Sequence, residues 1–261
     1  MTFEGKNEWA LILGGSSGLG LASAKKLASE GMHLILVHRS RRTQAKELQA
    51  AITTLKEMYN INCLEYNIDA TRTEKRTEVL RELQSLNFDI RIKVLLHSIA
   101  KGNLKPMLGN NSLTSDDYRI TIDAMGLSLY DWVKALLDQS LFVKDARILA
   151  FTSQGNQKPW TGYGAVSAAK TTLEAIVRNL AIELVPYEIK ANCIQPGTVD
   201  TPSFQMIPGH ERLREHSLKR NPYHRLTQPE DVANTVYLLC TDEAAFINGV
   251  ILPVDGGEHL R

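Results

Sequence analysis

Trp9-Ala10-Leu11-Ile12-Leu13-Gly14-Gly15-Ser16-Ser17-Gly18-Leu19-Gly20 is a continuous apolar run that breaks into a cluster of glycines. Five apolar residues in succession suit a short strand buried on both faces. Leu21, Ala24, Leu27 and Ala28 follow at helical spacing and predict a helix over 21–30. His33–Val37 then reads as a second strand. Glycines reach backbone angles closed to other residues and let backbone amides approach a diphosphate. The new helix turns its positive end toward the same place. An ordinary tight turn also uses glycine. The order strand, glycine loop, helix, strand is the context that a dinucleotide site requires.

Working outward, the same alternation continues. Helical patterns are expected over 43–59, 72–86, 116–137, 163–184 and 229–240, with Pro186 stopping the fourth and Pro229 opening the fifth. Apolar runs at 61–66, 92–96, 147–151, 189–194 and 250–254 complete a set of seven strands. This predicts an α/β fold with one doubly wound, Rossmann-type parallel sheet flanked by helices, and one domain over 1–261. Residues 201–228 break the rhythm with Pro202, Pro208, Gly209 and Pro222. A connection of that length is expected to be a substrate lid, or else a plain surface insertion.

Composition narrows the function. A formal net charge of +1 over 261 residues gives no support to nucleic-acid binding. Cys63, Cys193 and Cys240 lie far apart without a CxxC pair, so neither a metal site nor a disulfide framework is expected, and reduced thiols suit a cytoplasmic protein. Residues 1–9 lack the apolar run of a signal peptide, and no membrane-spanning stretch is present.

The end of the second strand selects the dinucleotide. An acidic residue there would bind the adenosine ribose and repel a 2′-phosphate. The sequence instead reads Val37-His38-Arg39-Ser40-Arg41-Arg42. Arginines are poorly placed at a helix N-terminus unless an anion joins them, and Arg39 and Arg41 suit a phosphate dianion, with Ser40 adding a hydroxyl. NADP(H) is therefore the expected cofactor.

The spacing Gly14-x-x-x-Gly18-x-Gly20 resembles that of the short-chain dehydrogenase/reductase family, with Leu13 where the family has Thr. So do His97-Ser98-Ile99-Ala100 after the fourth strand, Pro196-Gly197-Thr198-Val199-Asp200-Thr201 after the sixth, and Val254-Asp255-Gly256-Gly257 near the end. The resemblance implies that Gly14, Ser16, Ser17, Gly18, Leu19, Gly20, Ser98, Ile99, Ala100, Pro196, Gly197, Val199 and Thr201 hold the dinucleotide. It implies that Asp69 meets the adenine amino group.

Most members carry Y-x-x-x-K on the helix after the fifth strand. Here Lys170 is in place, but Val166 stands four residues earlier, and the nearest tyrosine is Tyr163. If both are helical, Tyr163 and Lys170 share a face, with the tyrosine displaced by roughly 4.5 Å along the axis. Y-x6-K resembles the bacterial enoyl-(acyl-carrier-protein) reductases, as does His97-Ser98-Ile99-Ala100. Asp123, near the family's catalytic Asn, points the same way. Ser153 departs from the second tyrosine that many of those reductases carry. It is closer to an NADPH-dependent branch that stays near ketoreductases. The resemblance implies reduction of the 2,3 double bond of an enoyl thioester, carried on acyl carrier protein or coenzyme A, by a homotetramer. Tyr163 would stabilise the enolate and Lys170 would hold the nicotinamide ribose; in a carbonyl reductase Tyr163 would instead give its proton to the carbonyl oxygen, with Ser153 or Thr152 as helper. Met206, Ile207 and Leu213 would line the acyl chain. A 3-oxoacyl or other carbonyl reductase, and a non-catalytic NADPH-binding regulator, are the alternatives.

Overall fold

A computed structural model describes residues 1–261. Seven parallel strands form one sheet in the order β3-β2-β1-β4-β5-β6-β7. They are β1 Trp9–Leu13, β2 His33–His38, β3 Cys63–Asn67, β4 Ile92–His97, β5 Phe142–Phe151, β6 Lys190–Pro196 and β7 Ile251–Val254. The Rossmann-type sheet expected from the alternation is therefore present.

In β1 the side chains alternate between two cores, as strand geometry demands. Trp9, Leu11 and Leu13 join one core, with α3 (Thr73–Ser85), α5 (Ser128–Asp138) and α6 (Gly164–Glu183). Ala10 and Ile12 join the other, with α1 (Gly18–Ser29), α2 (Arg42–Tyr59) and α9 (Pro229–Cys240). All five are buried, which accounts for the unbroken apolar run. The strand order reverses between β1 and β4, and a crevice opens there beyond the carboxyl ends of the strands.

Three elements depart from the periodicity. The helix expected over 116–137 is divided into α4 (Ser115–Ile122), a π turn over Asp123–Leu127, and α5. Strand β5 begins at Phe142, well before the apolar run. The register against β4 jumps from Ile92–Phe142 to Val94–Arg147, with Asp145 at φ 58° in the irregular stretch. The segment after β6 folds into two helices, α7 (Pro202–Gln205) and α8 (His210–Arg220). Pro186 lies in a short turn beyond α6, and Pro229 opens α9 as expected. No helix is long and apolar enough to cross a membrane.

Candidate active site

A cavity of about 650 Å³ occupies the crevice. Gly14, Ser16, Ser17, Gly18 and Leu19 line it from the β1–α1 loop, and Ser98, Ile99 and Ala100 from the end of β4. Pro196, Gly197, Val199 and Thr201 line it from the end of β6. Gly14 has φ 88°, and a Cβ there would stand 2.5 Å from the Ser98 carbonyl oxygen. Gly18 has φ 51° and faces Thr201. Gly20, by contrast, does not reach the cavity. A Cβ on it would overlap the Gly14 carbonyl, so this glycine allows α1 to pack against its own loop. Ser17, the residue before α1, makes no side-chain cap, and the first turn of that helix carries no acid. The amides at this helix start thus have no capping side chain of their own.

At the other end of the crevice Asp69 collects the charges. Its Oδ1 accepts from the Thr71 amide at 3.1 Å and hydroxyl at 2.7 Å. Its Oδ2 accepts from Arg39 Nη1 at 3.2 Å and Lys101 Nζ at 3.0 Å. Partial burial pushes the Asp69 carboxyl up, but the bonds from Thr71 and Lys101 outweigh it and bring it down to about 2. Ser40 and Arg41, expected at the phosphate, do not line the cavity. The Ser40 hydroxyl is within 3.0 Å of His38 Nδ1, a local contact two residues away. Arg41 is exposed and precedes α2, whose first turn has no acid.

The reactive end lies under α6. Tyr163 is not in that helix but is the residue before it, with φ −103° and ψ 3°. Tyr163 is thus the cap of the helix, and its carbonyl accepts the first helical bond, from the Ser167 amide at 2.8 Å. Tyr163 and Lys170 both line the cavity, and the Tyr163 hydroxyl donates to Ser153 Oγ at 3.2 Å. Burial holds this phenol above its ordinary pKa, against a lowering by Ser153. Lys170 Nζ donates to the Phe151 carbonyl at 2.7 Å. Burial brings Lys170 down to about 8, against the raising effects of Cys193 and Glu174. Glu174, buried one helical turn beyond Lys170, accepts from Thr152 Oγ1 at 2.5 Å and Asn156 Nδ2 at 2.7 Å. Thr152 is thereby committed to Glu174. Gly155 has room for no side chain, since a Cβ would sit 2.5 Å from the Tyr163 ring.

A family model described as enoyl-(acyl carrier protein) reductase matches residues 14–259. This chain is a short-chain dehydrogenase/reductase. Dehydrogenase/reductase SDR family member 4 of Homo sapiens is 27% identical over 257 residues, covering 98% of this chain and 88% of the relative. NADPH-dependent aldehyde reductase 2, chloroplastic, of Arabidopsis thaliana is 27% identical over 262 residues, covering 95% and 92%. Among solved structures, enoyl-(acyl-carrier-protein) reductase (NADH) from Aquifex aeolicus superposes with a TM-score of 0.84. It is 24% identical and is matched over 100% of this chain and 99% of that one.

Within this short-chain dehydrogenase/reductase, Asp123, near the place of the family's catalytic Asn, does not line the cavity. That residue starts the π turn and is exposed, and Met125 is the side chain of the turn that lines the cavity. The π turn shifts the helical phase, which periodicity alone does not reveal. Met125 packs with Val166 in a small apolar cluster that Leu104 and Tyr163 join. His97 is fully buried, and its Nε2 lies 2.9 Å from the Ser128 hydroxyl, so it packs inside rather than facing a ligand. Lys101, Gly155 and Glu174 were not singled out by the motifs, since each acts through a residue distant in sequence. From the 201–228 segment, Phe204, Met206, Ile207, Leu213, His216, Ser217 and Arg220 reach the cavity.

Proposed function

We propose that this short-chain dehydrogenase/reductase is an NADPH-dependent reductase of the 2,3 double bond of an enoyl thioester. The observation that carries the reading is the setting of Tyr163. Tyr163 lines the cavity and packs with Val166 and Met125, which offer an apolar wall and no proton donor at the family's usual tyrosine position. The description of the matching family model supports the same reaction.

The residues fit NADPH. Gly14 and Gly18 line the cavity with backbone angles that favour glycine, φ 88° and 51°, α1 starts without an acid, and no carboxylate follows His38 at the end of β2. The exposed Arg39 and Arg41 suit the 2′-phosphate, and the Arabidopsis relative is named for NADPH. When bound, this cofactor supplies the hydride that reaches the β-carbon. Tyr163 donates its hydroxyl to the thioester oxygen as charge develops there. Lys170 holds the ribose hydroxyls and adds a buried cation, and Val199 and Thr201 hold the carboxamide. The α-carbon takes its proton from solvent. Residues 201–228 act as a lid, with Met206, Ile207 and Leu213 along the acyl chain and the Trp160 indole tied to the Pro208 carbonyl at 3.0 Å. Acyl carrier protein is the proposed carrier, and a homotetramer the proposed assembly.

The hydrogen bond between Ser153 and Tyr163 favours a second reading, in which the tyrosine gives its proton directly to a carbonyl oxygen. NADPH oxidation with crotonyl and acetoacetyl thioesters separates the two. Faster crotonyl turnover is expected, and exclusive acetoacetyl turnover would overturn the enoyl assignment. Binding of NADPH without turnover of either thioester would leave a non-catalytic regulator.

A further inference from the structure

Asp69 places a carboxylate in the part of the cavity that Arg39 also lines. Its Oδ1 is fixed by two bonds from Thr71, so the group cannot swing away. Its Oδ2 receives two cations, Arg39 and Lys101. They are not equivalent. Arg39 makes one bond, its side chain is 63% exposed, and its remaining donors are open to solvent or ligand. Lys101 comes from the segment beyond β4, is 39% exposed, and itself lines the cavity. An exposed single-point ion pair is weak and exchangeable. A phosphate dianion offers arginine stronger, bidentate bonding. Leaving Asp69 without any cation would oppose that exchange.

We propose that Lys101 is a specificity-determining residue for the cofactor. It retains the negative charge of Asp69, so that Arg39 is free to leave that carboxylate for the ribose 2′-phosphate of NADPH. The assignment rests on the NADPH reading above. Without Lys101, Arg39 is the only cation on Asp69, and phosphate must compete with the carboxylate for it. NADH, which lacks the phosphate, makes no such demand.

Dissociation constants for NADPH and NADH, measured by calorimetric titration without substrate, test this in the full chain. Lys101→Met is expected to raise the NADPH constant about five- to tenfold while NADH changes less than about twofold. Lys101→Arg keeps the cation and should preserve the wild-type ratio. In an Arg39→Ala background, Lys101→Met should alter the ratio by less than about twofold, because the residue to be released is gone. The same loss in both backgrounds would mean simple attraction between Lys101 and the phosphate and would overturn the exchange. An unchanged ratio in Lys101→Met would overturn it as well. Equal affinities for the two cofactors in the wild type would instead remove the NADPH reading, and this assignment with it.

Discussion

Tyr163→Phe deletes one hydroxyl and little volume, and the hydrogen bond lost within the protein is the one to Ser153 Oγ at 3.2 Å. If that hydroxyl stabilises an enolate, kcat for crotonyl thioester should fall about 10²–10³-fold, with NADPH affinity retained. Stopped-flow hydride transfer in the variant is the measurement, and wild-type rates would remove the tyrosine from the mechanism. Lys170 sets the pH dependence at the same scale. Burial lowers it to about 8, against the raising effects of Cys193 and Glu174. In the proposed mechanism the cation is the form that holds the ribose, so kcat/KM should decline as pH rises through about 8. Glu174→Gln keeps an acceptor for Thr152 and Asn156 but removes the negative charge. The alkaline limb of the pH–rate profile should then move to lower pH. A limb that stays in place would separate Glu174 from the electrostatics of Lys170.

The turn after β5 is the element that aims these groups. Ser153 precedes a 3₁₀ turn over Gln154–Asn156 and accepts from the Gly155 amide at 3.1 Å. Glu174 on α6 holds both ends of the turn through Thr152 and Asn156. The Tyr163 ring packs over Gly155 so closely that a methyl group cannot be inserted without moving one of them. Gly155→Ala is therefore expected to lower kcat about 10–100-fold by displacing the phenol, while NADPH binding is kept. A crystal structure of the variant with an unmoved Tyr163 would contradict this account of the turn.

At the scale of the whole molecule, the end of the sheet opposite the cavity depends on one carboxylate. Asp145 in β5 bonds Arg147 in the same strand, Lys93 in β4 and Lys190 in β6. Arg147 is fully buried and otherwise meets only carbonyl oxygens, among them those of Leu239 and Thr241 around the end of α9. Partial burial pushes the Asp145 carboxyl up, but the bonds from Arg147, Lys190 and Lys93 outweigh it and hold it far below the ordinary range. A depressed folded-state pKa means stability that is present above the unfolded value and lost as pH falls below it. Asp145→Asn removes the charge while suiting the left-handed backbone there, φ 58°. Urea denaturation at neutral pH should show a loss of about 2–3 kcal/mol, less than for a fully buried pair because Asp145 is partly exposed. The difference from wild type should shrink in acid. A neutral substitution would show that the carbonyl partners of Arg147 suffice.

The primary structure determined the sheet and the dinucleotide crevice, because both are written in local terms. A strand buried on both faces must be apolar throughout, as at Trp9–Leu13, and a loop that meets a diphosphate must be glycine-rich, as at Gly14–Gly20. It also placed Ser153, Tyr163 and Lys170 at one site, through motif spacing. Three things were settled only in the fold. The π turn at Asp123–Leu127 turned Met125 toward the cavity and Asp123 toward solvent. The start of α6 at Gly164 left Tyr163 outside the helix. The partners Lys101 for Asp69 and Glu174 for Thr152 came together from 32 and 22 residues apart. A helical phase shift of one residue and a contact between distant charges leave no periodic trace in a chain. They depend on how the elements pack, and packing is decided by the whole molecule.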